Sequence, residues 1–534
     1  MKTTPFDRDL LLDLAAEYLQ GTAKREDTEN LEAILATNSA AREEFVSFCM
    51  LHGQLSMSQA AIGLGKQRPD SLQRRRFFGP RLPGLGRVAA VAAAVCLAAA
   101  CLALIVIPST GTVPRSNATR PKPLAGGSYD DRQLPLVTVA SLQNAFFPSR
   151  PLTPATLRPV SETSLRSTSG ADVQVAKETV FGMTAVDSGA LYDGRVQARL
   201  AEPNASFSVT TSNLRIVDKG TAFTVDRIDD EHVAVTVLDG EVEVQSRVRL
   251  PVCYWPFDTA VADAAAISVA DFVGGLSARL GSGATPVAGL IGAGALRFDN
   301  TPSAVATVHG GTGEQVGTGQ LAMVEGITIE ALIVSAWSGL FRDYDEIYRK
   351  EDGNCRVLFS FQNDELEFDD PEVPPGSCLS FGLHLAGRGY AELDMPLDGS
   401  DGRPTLAEIT DGKPHHVVAT YDSFTGRKAI FIDGTKRFEH VYPVGTLVLS
   451  GGPSRAEIGN SGGGEPFTGV VDELAVYDFA LTPEEIAAHW RRAAAGESYF
   501  DSIPPGPGSP RWQAVTRLVE GQTMTFDQET GLPR

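Results

Sequence analysis

The densest run of possible ligands in this chain is acidic: Asp364, Glu365, Glu367, Asp369 and Asp370. A calcium ion needs several oxygen ligands converging at about 2.4 Å. In an extended strand Glu365, Glu367 and Asp369 share one face, about 6.6 Å apart at each step. Asp364, Glu365, Glu367 and Asp369 are therefore the candidate calcium ligands, and calcium is the one cofactor the chain suggests. The same run also suits a solvated acidic edge, which discourages pairing with other strands.

Other spacings point to chemistry less strongly. Gly459-Asn460-Ser461-Gly462-Gly463 has the G-x-S-x-G spacing, and Asp472 and His489 follow in the order of a nucleophilic triad. That elbow needs a strand-turn-helix. Here Gly464 and Pro466 follow among strands, so a glycine loop is expected. Cys49-x2-His52 offers half of a zinc set, which takes four Cys/His ligands, and no others lie nearby. Phosphate-binding and dinucleotide glycine patterns are absent. The expectation is a non-enzymatic protein with no catalytic residues.

What must position these groups starts with a membrane span. Val88 to Ile107 is a 20-residue stretch without charge, and a helix rising about 1.5 Å per residue needs roughly 20 apolar residues to cross a bilayer. Arg74, Arg75, Arg76, Arg81 and Arg87 precede it, while Arg115, Arg120 and Lys122 follow. The bias puts the N-terminus in the cytoplasm. With 87 residues ahead of the run, an uncleaved anchor is expected rather than a signal peptide. Residues 1–87 hold 12 basic and 11 acidic side chains, so with the chain at −20 the part beyond carries −21. Nucleic acid is a poor partner for such a surface.

Residues 1–65 read as a small helical module, with Leu10, Leu11, Leu14, Tyr18 and Leu19 at helical spacing. Residues 66–87 form a basic juxtamembrane linker, and 108–133 a Pro-rich spacer. From 134 to 246 short alternating runs indicate strands. Val233, Val235 and Val237 precede Asp239-Gly240, and Val242 and Val244 follow, a hairpin signal. Residues 250–490 continue as strands punctuated by Asp352-Gly353, Asp411-Gly412 and Asp433-Gly434. They close in a helix capped by Thr482 with Pro483 at its first position. Residues 491–534 read as an irregular tail. His415 and His416 take opposite faces of a strand. Arg342, Asp343, Asp345 and Arg349 are expected to form a solvated patch.

Two stretches resemble known families. Val209 to Val244, with Asp218, Gly220, Thr221, Phe223, Asp239 and Gly240 in order, resembles the periplasmic FecR-type domain, and Ser169 to Leu200 fits its upstream part. Tyr254 to Asp258, Gly294 to Asp299, Lys413 to Gly434 (ending in Asp433 and Gly434) and Phe467 to Trp490 (containing Asp472 and Glu473) resemble the LamG-like jelly roll, the concanavalin-type lectin sandwich. Residues 1–65 resemble the cytoplasmic part of membrane-anchored anti-sigma factors, as found in planctomycete-type bacteria.

The resemblance implies a mainly β protein with a helical module, one transmembrane helix, a FecR-like β domain and a LamG-like β-sandwich jelly roll. It implies a single-pass sensor of the inner membrane, with the C-terminal domains in the periplasm. A glycan or protein ligand is read outside, and a sigma factor is the cytoplasmic partner. The alternative is a cell-surface carbohydrate-binding or adhesion protein. Some glucanases of the sandwich fold use Glu-x-Asp-x-x-Glu, from which Glu365-x-Glu367-x-Asp369 departs in type and spacing. Beyond the span lie Cys253, Cys355 and Cys378. Of three pairings, Cys355–Cys378 is the hypothesised disulfide, closing about 24 residues for roughly 3 kcal/mol in the loop-entropy picture.

Overall fold

A computed structural model describes residues 155–534, except 168, 201–205, 263–266, 354, 365–367, 463 and 501–509. The helical module, basic linker, Val88–Ile107 span and spacer lie outside the described residues, as do Cys49 and His52. Among the described residues no helix is long and apolar enough to cross a membrane. What is described is mainly β, in two bodies.

The first body begins with β1 (Ala155–Leu157), β2 (Thr163–Arg166), β3 (Ala171–Val175) and β4 (Val180–Ala185). The 13-residue β5 (Ser188–Leu200) follows. Then come β6 (Ser208–Thr210), β7 (Leu214–Asp218), β8 (Ala222–Arg227), β9 (His232–Asp239) and β10 (Glu241–Arg247). Strand β5 is long enough to serve two layers. Its first half pairs with β4 and β6, and its second half with β3 and β8. Alternation then sends Leu191, Val196, Val209, Ile216, Phe223, Val235 and Val244 into one core between the layers.

The second body opens with β11 (Cys253–Trp255), β12 (Ala260–Ala262), β13 (Ile267–Ala270), β14 (Ser277–Leu280), β15 (Ala284–Val287), β16 (Ala295–Asp299) and β17 (Ala306–His309). Longer strands follow: β18 (Gly326–Ser335), β19 (Tyr344–Asp352), β20 (Cys355–Gln362), β21 (Cys378–Leu385) and β22 (Gly389–Pro396). The rest are β23 (His415–Asp422), β24 (Arg427–Ile432), β25 (Thr435–Val441), β26 (Ala456–Ile458), β27 (Thr468–Tyr477) and the closing helix Pro483–Ala494. They make an 8-stranded sheet, β15-β16-β27-β18-β23-β24-β25 with β11 on β27, and a 9-stranded sheet, β12-β13-β14-β17-β26-β19-β20-β21-β22. Ile329, Ala331 and Ile333 from one sheet meet Val357, Phe359, Phe381 and Leu393 from the other, which is a sandwich core.

Four expectations are corrected. The tail is not irregular: β28 (Trp512–Val519) and β29 (Thr523–Asp527) add to the first body. Strand β28 pairs with β10 and β29 with β9, and Leu518 and Phe526 join that core. The sandwich is thus inserted within the FecR-like body. Second, Asp239-Gly240 does not close a hairpin. Strand β9 pairs with β8 and β10 with β7, so the turn carries the chain from one layer to the other. The two valine runs meet face to face across the core instead of side by side.

Third, Cys355 and Cys378 are free thiols, as is Cys253. Cys378 opposes Gln362, at the far end of β20 from Cys355. At about 3.3 Å per residue that separates them by roughly 20 Å, whereas a disulfide needs Cα atoms within about 7 Å. Fourth, Asp345 and Arg349 are not solvated. Asp345 is buried and accepts the Thr468 N–H at 2.7 Å. Arg349 spans Glu346 and Glu465 at 2.7 and 2.9 Å.

Candidate functional site

The residues that mark the two resemblances hold backbone. Asp218 accepts the Gly220 N–H at 2.9 Å and the Thr221 hydroxyl, turning the chain at Gly220 (φ 99°), and Phe223 enters the core. Asp239 is exposed at the layer crossing beside Gly240. Asp433 accepts the His416 N–H at 2.9 Å and faces His415 Nδ1 at 2.9 Å, while Gly434 passes under Trp490. His416 is buried and His415 partly exposed, on opposite faces as alternation requires.

Asp472 is fully buried and accepts the N–H groups of Leu290 and Ile291 at 2.9 and 3.0 Å. Burial pushes its carboxyl up to about 7. Glu473, in the left-handed region at φ 51°, takes the Tyr254 hydroxyl at 2.5 Å, and burial raises it as well. Ser461 has neither Asp472 nor His489 as a partner, because Asp472 holds the Leu290 and Ile291 N–H groups and His489 binds Glu330. Gly459 to Gly462 of the G-x-S-x-G segment form a loop.

Of the calcium candidates, Asp369 accepts the Val373 N–H at 2.9 Å and shapes its own loop. Asp364 lines a polar recess, while Glu365 and Glu367 lie outside the described residues. Among the described residues no three His, Cys, Asp or Glu side chains converge as a metal requires.

Two places collect polar groups most of which the sequence did not flag. One is the outer face of the 9-stranded sheet. A recess of about 240 Å³ there is lined by Tyr344, Glu346, Arg356, Gln362, Phe368 and Glu392. Gln362 donates to Glu392 at 2.9 Å and to Asp394 at 3.3 Å. Burial raises both carboxyls, Asp394 to about 7.

The other is the seam between the two bodies, which form one compact unit. Val180, Ala190 and Tyr192 of the first body pack on Phe424 and Leu447 of the second. The Tyr192 and Phe424 ring centroids are 4.7 Å apart, and the Tyr192 hydroxyl lies 3.2 Å from Ser423 Oγ. Beside this apolar half runs an ionic half. Arg247 reaches Glu325 and Asp478, both at 3.5 Å, and Arg511 meets Asp478 at 2.9 Å. Thr210 donates to Glu325 at 2.7 Å. Burial pushes the Glu325 carboxyl up against the pull of Arg247. The outgoing and returning chains are joined where the Val248 N–H donates to Arg511 O at 2.8 Å. No local signal could have revealed these contacts, since Thr210 and Glu325, or Arg247 and Asp478, lie a hundred or more residues apart.

Comparison with known proteins agrees with this division. Residues 159–243 match the FecR protein family. Residues 351–487 match Laminin_G_3, of the concanavalin A-like lectin/glucanases superfamily. No curated protein matches the chain. Similar solved structures include the binding domain of botulinum neurotoxin serotype G (11% identity, TM-score 0.32, covering 45% of this chain and 50% of that one). Another is domain 4 of AbnA, a GH43 extracellular arabinanase from Geobacillus stearothermophilus, in complex with arabinotriose (17%, TM-score 0.28, 45% and 97%). A third is a putative anti-sigma factor from Parabacteroides distasonis ATCC 8503 (21%, TM-score 0.15, 17% and 46%). The chain spans about half the length of that neurotoxin binding domain and of the binding domain of Paraclostridial Mosquitocidal Protein 1 (12% identity, TM-score 0.29, covering 44% of this chain and 51% of that one).

Proposed function

We propose that this chain is a non-enzymatic, single-pass regulator of the bacterial inner membrane. Val88–Ile107 anchors it, the FecR-like body and the sandwich stand in the periplasm, and residues 1–65 hold a sigma factor in the cytoplasm. One observation carries the reading: the sandwich is inserted into the FecR-like body, between β10 and β28, and docked on it through Tyr192 and Phe424. A ligand on the sandwich therefore acts on the FecR-like body directly, provided it binds two arrangements of the seam with different affinity. An acidic module suits a basic sigma-factor surface, and residues 1–50 hold 5 basic and 10 acidic groups. The test is co-purification of the full-length chain, in detergent, with each extracytoplasmic-function sigma factor of its organism. Capture of one supports the reading, and failure with all of them sinks it.

A second reading is a cell-surface carbohydrate-binding protein. The recess on the outer sheet face favours it, because Phe368 and Tyr390 rings at 5.3 Å stand beside Gln362 and Glu392, an aromatic wall next to a donor–acceptor pair. It expects glycan binding by the full chain and no transcriptional change when the gene is deleted.

A further inference from the structure

The face that the first body turns to the sandwich is divided by strand alternation. On β4 to β7 and β10, the residues pointing away from the first core are Val180, Ala190 and Tyr192 at one end, and Thr184, Ser188, Ser208, Thr210, Arg215 and Arg247 at the other. The apolar end is closed by Phe424 and Leu447. The polar end is left as a cavity of about 260 Å³, whose opposite wall is Gly317, Gly319, Ala322, Val324, Glu325 and Asp478. The glycines, at φ 85° and 99°, put no side chain into it.

Its lining is unusual in what lacks a partner. Arg215 sits directly opposite Thr210 in the β6–β7 register and is half-buried, and among the described residues it has no carboxylate or other side-chain partner. Ser208 is 3% exposed and its hydroxyl has no hydrogen-bond partner among the described residues. Arg247, whose side chain is 4% exposed, leaves its Nε unpartnered although Glu325 and Asp478 meet its terminal nitrogens. Buried donors left unmade are costly, and few survive in native proteins unless something else meets them. Glu325 and Asp478 line the same wall but are engaged, Glu325 by Thr210 and Arg247, Asp478 by Arg247 and Arg511. The donors facing the space are thus a guanidinium and a hydroxyl, beside Thr184 and Ser188, whose hydroxyls are hydrogen-bonded to each other at 3.1 Å.

From this geometry we infer that the cavity binds the anionic oxygen group of a small polar molecule, an oxyanion of the phosphate, sulfate or carboxylate type, held by Arg215 and the Ser208 hydroxyl. A planar guanidinium suits such a group, and charge-assisted hydrogen bonds are the strong ones. The volume is far above that of a single water and at the lower end for ligand sites, which fits a ligand between a free anion and a monosaccharide. The site goes beyond the sigma-factor reading and does not depend on it. Because its walls come from both bodies, occupancy fastens one to the other.

The test is calorimetric titration of the full-length chain, in detergent at low ionic strength, with inorganic phosphate, sulfate and glucuronate, and with glucose as the uncharged comparison. Saturable binding of at least one anion is expected, weaker by roughly tenfold or more in Arg215→Gln and also weakened in Ser208→Ala, with glucose inert. Both variants are checked for an unchanged melting midpoint without anion, so that Ser208→Ala decides should Arg215→Gln misfold. Absence of saturable binding by all three anions overturns the proposal. So does undiminished binding by the folded variants, or glucose binding as tightly as the anions. The readout is binding to this chain alone, so its failure and a failed sigma-factor capture are separate results.

Discussion

His489 Nδ1 lies 3.0 Å from Glu330 Oε2, tying the closing helix to a central strand of the 8-stranded sheet. The same buried carboxylate meets His416 Nε2 at 3.0 Å and accepts from the Tyr477 hydroxyl. Burial would raise this carboxyl, but the His489 charge and the hydrogen bonds of His416 and His489 outweigh it and hold it down at about 2. His489, which burial alone would lower, is raised by Glu330.

Glu330→Ala should therefore lower the unfolding free energy by about 3–5 kcal/mol, the range for removing one partner of a buried ion pair. Chemical denaturation of the full chain measures it, and a loss under about 1 kcal/mol would contradict the assignment. The pH dependence has two limbs. The carboxylate, depressed below its ordinary 4.5, stabilises above that value and loses its contribution as pH falls toward 2. The imidazole, raised above 6.5, contributes fully below 6.5 and loses it as pH rises through its raised value. The stability gap between the parent and Glu330→Gln should be widest between about pH 4.5 and 6.5. Parallel curves from pH 2 to 9 would show that the pair is not linked to folding.

Gly469 is a second point of dependence. It sits in β27 at φ 145°, where β16 and β18 both pair, and a Cβ there would come within 2.0 Å of Val334 O. Backbone cannot yield as a flexible side chain can, so Gly469→Ala should destabilise by roughly 2 kcal/mol or more. A thermal midpoint unchanged by the substitution would refute this.

Removal of residues 511–534 should be worse than trimming a tail. It strips β28 from β10 and β29 from β9 and takes Leu518 and Phe526 out of the core, exposing an edge on each layer. Open edges pair with other chains. The truncated full-length chain should aggregate or show new protease cuts within 155–247. A monodisperse, protease-resistant product on gel filtration would refute the inserted architecture.

Cys253, Cys355 and Cys378 should alkylate quantitatively in denaturant without prior reduction, as free thiols do. Native labelling should favour Cys355, because Cys253 and Cys378 are buried and burial raises all three thiols, most where it is complete. A peptide map that shifts on reduction would reinstate a bridge.

Local pattern carried part of this structure. The alternation of Val233, Val235 and Val237 marked a half-buried strand, because the side-chain period is a backbone property. Asp433-Gly434 marked a true two-residue turn between β24 and β25, because φ above zero at both residues favours that pair. The same dipeptide at Asp239-Gly240 misled, since the turn's conformation is local but the choice of partner strand is not. Thr482 and Pro483 declared the closing helix, and its capping box forms between Thr482 and Glu485.

What the sequence determined by itself was the kind of element each segment becomes and the families two segments resemble, because backbone conformation and turn chemistry are settled within a few residues. Tertiary structure alone decided that two C-terminal strands finish the FecR-like body, one on each layer, that Cys355 and Cys378 end far apart, and that Thr210, Arg247, Glu325 and Asp478 share one seam. Those outcomes depend on which apolar faces bury together across hundreds of residues. Burial rewards contact in space and carries no mark of distance along the chain.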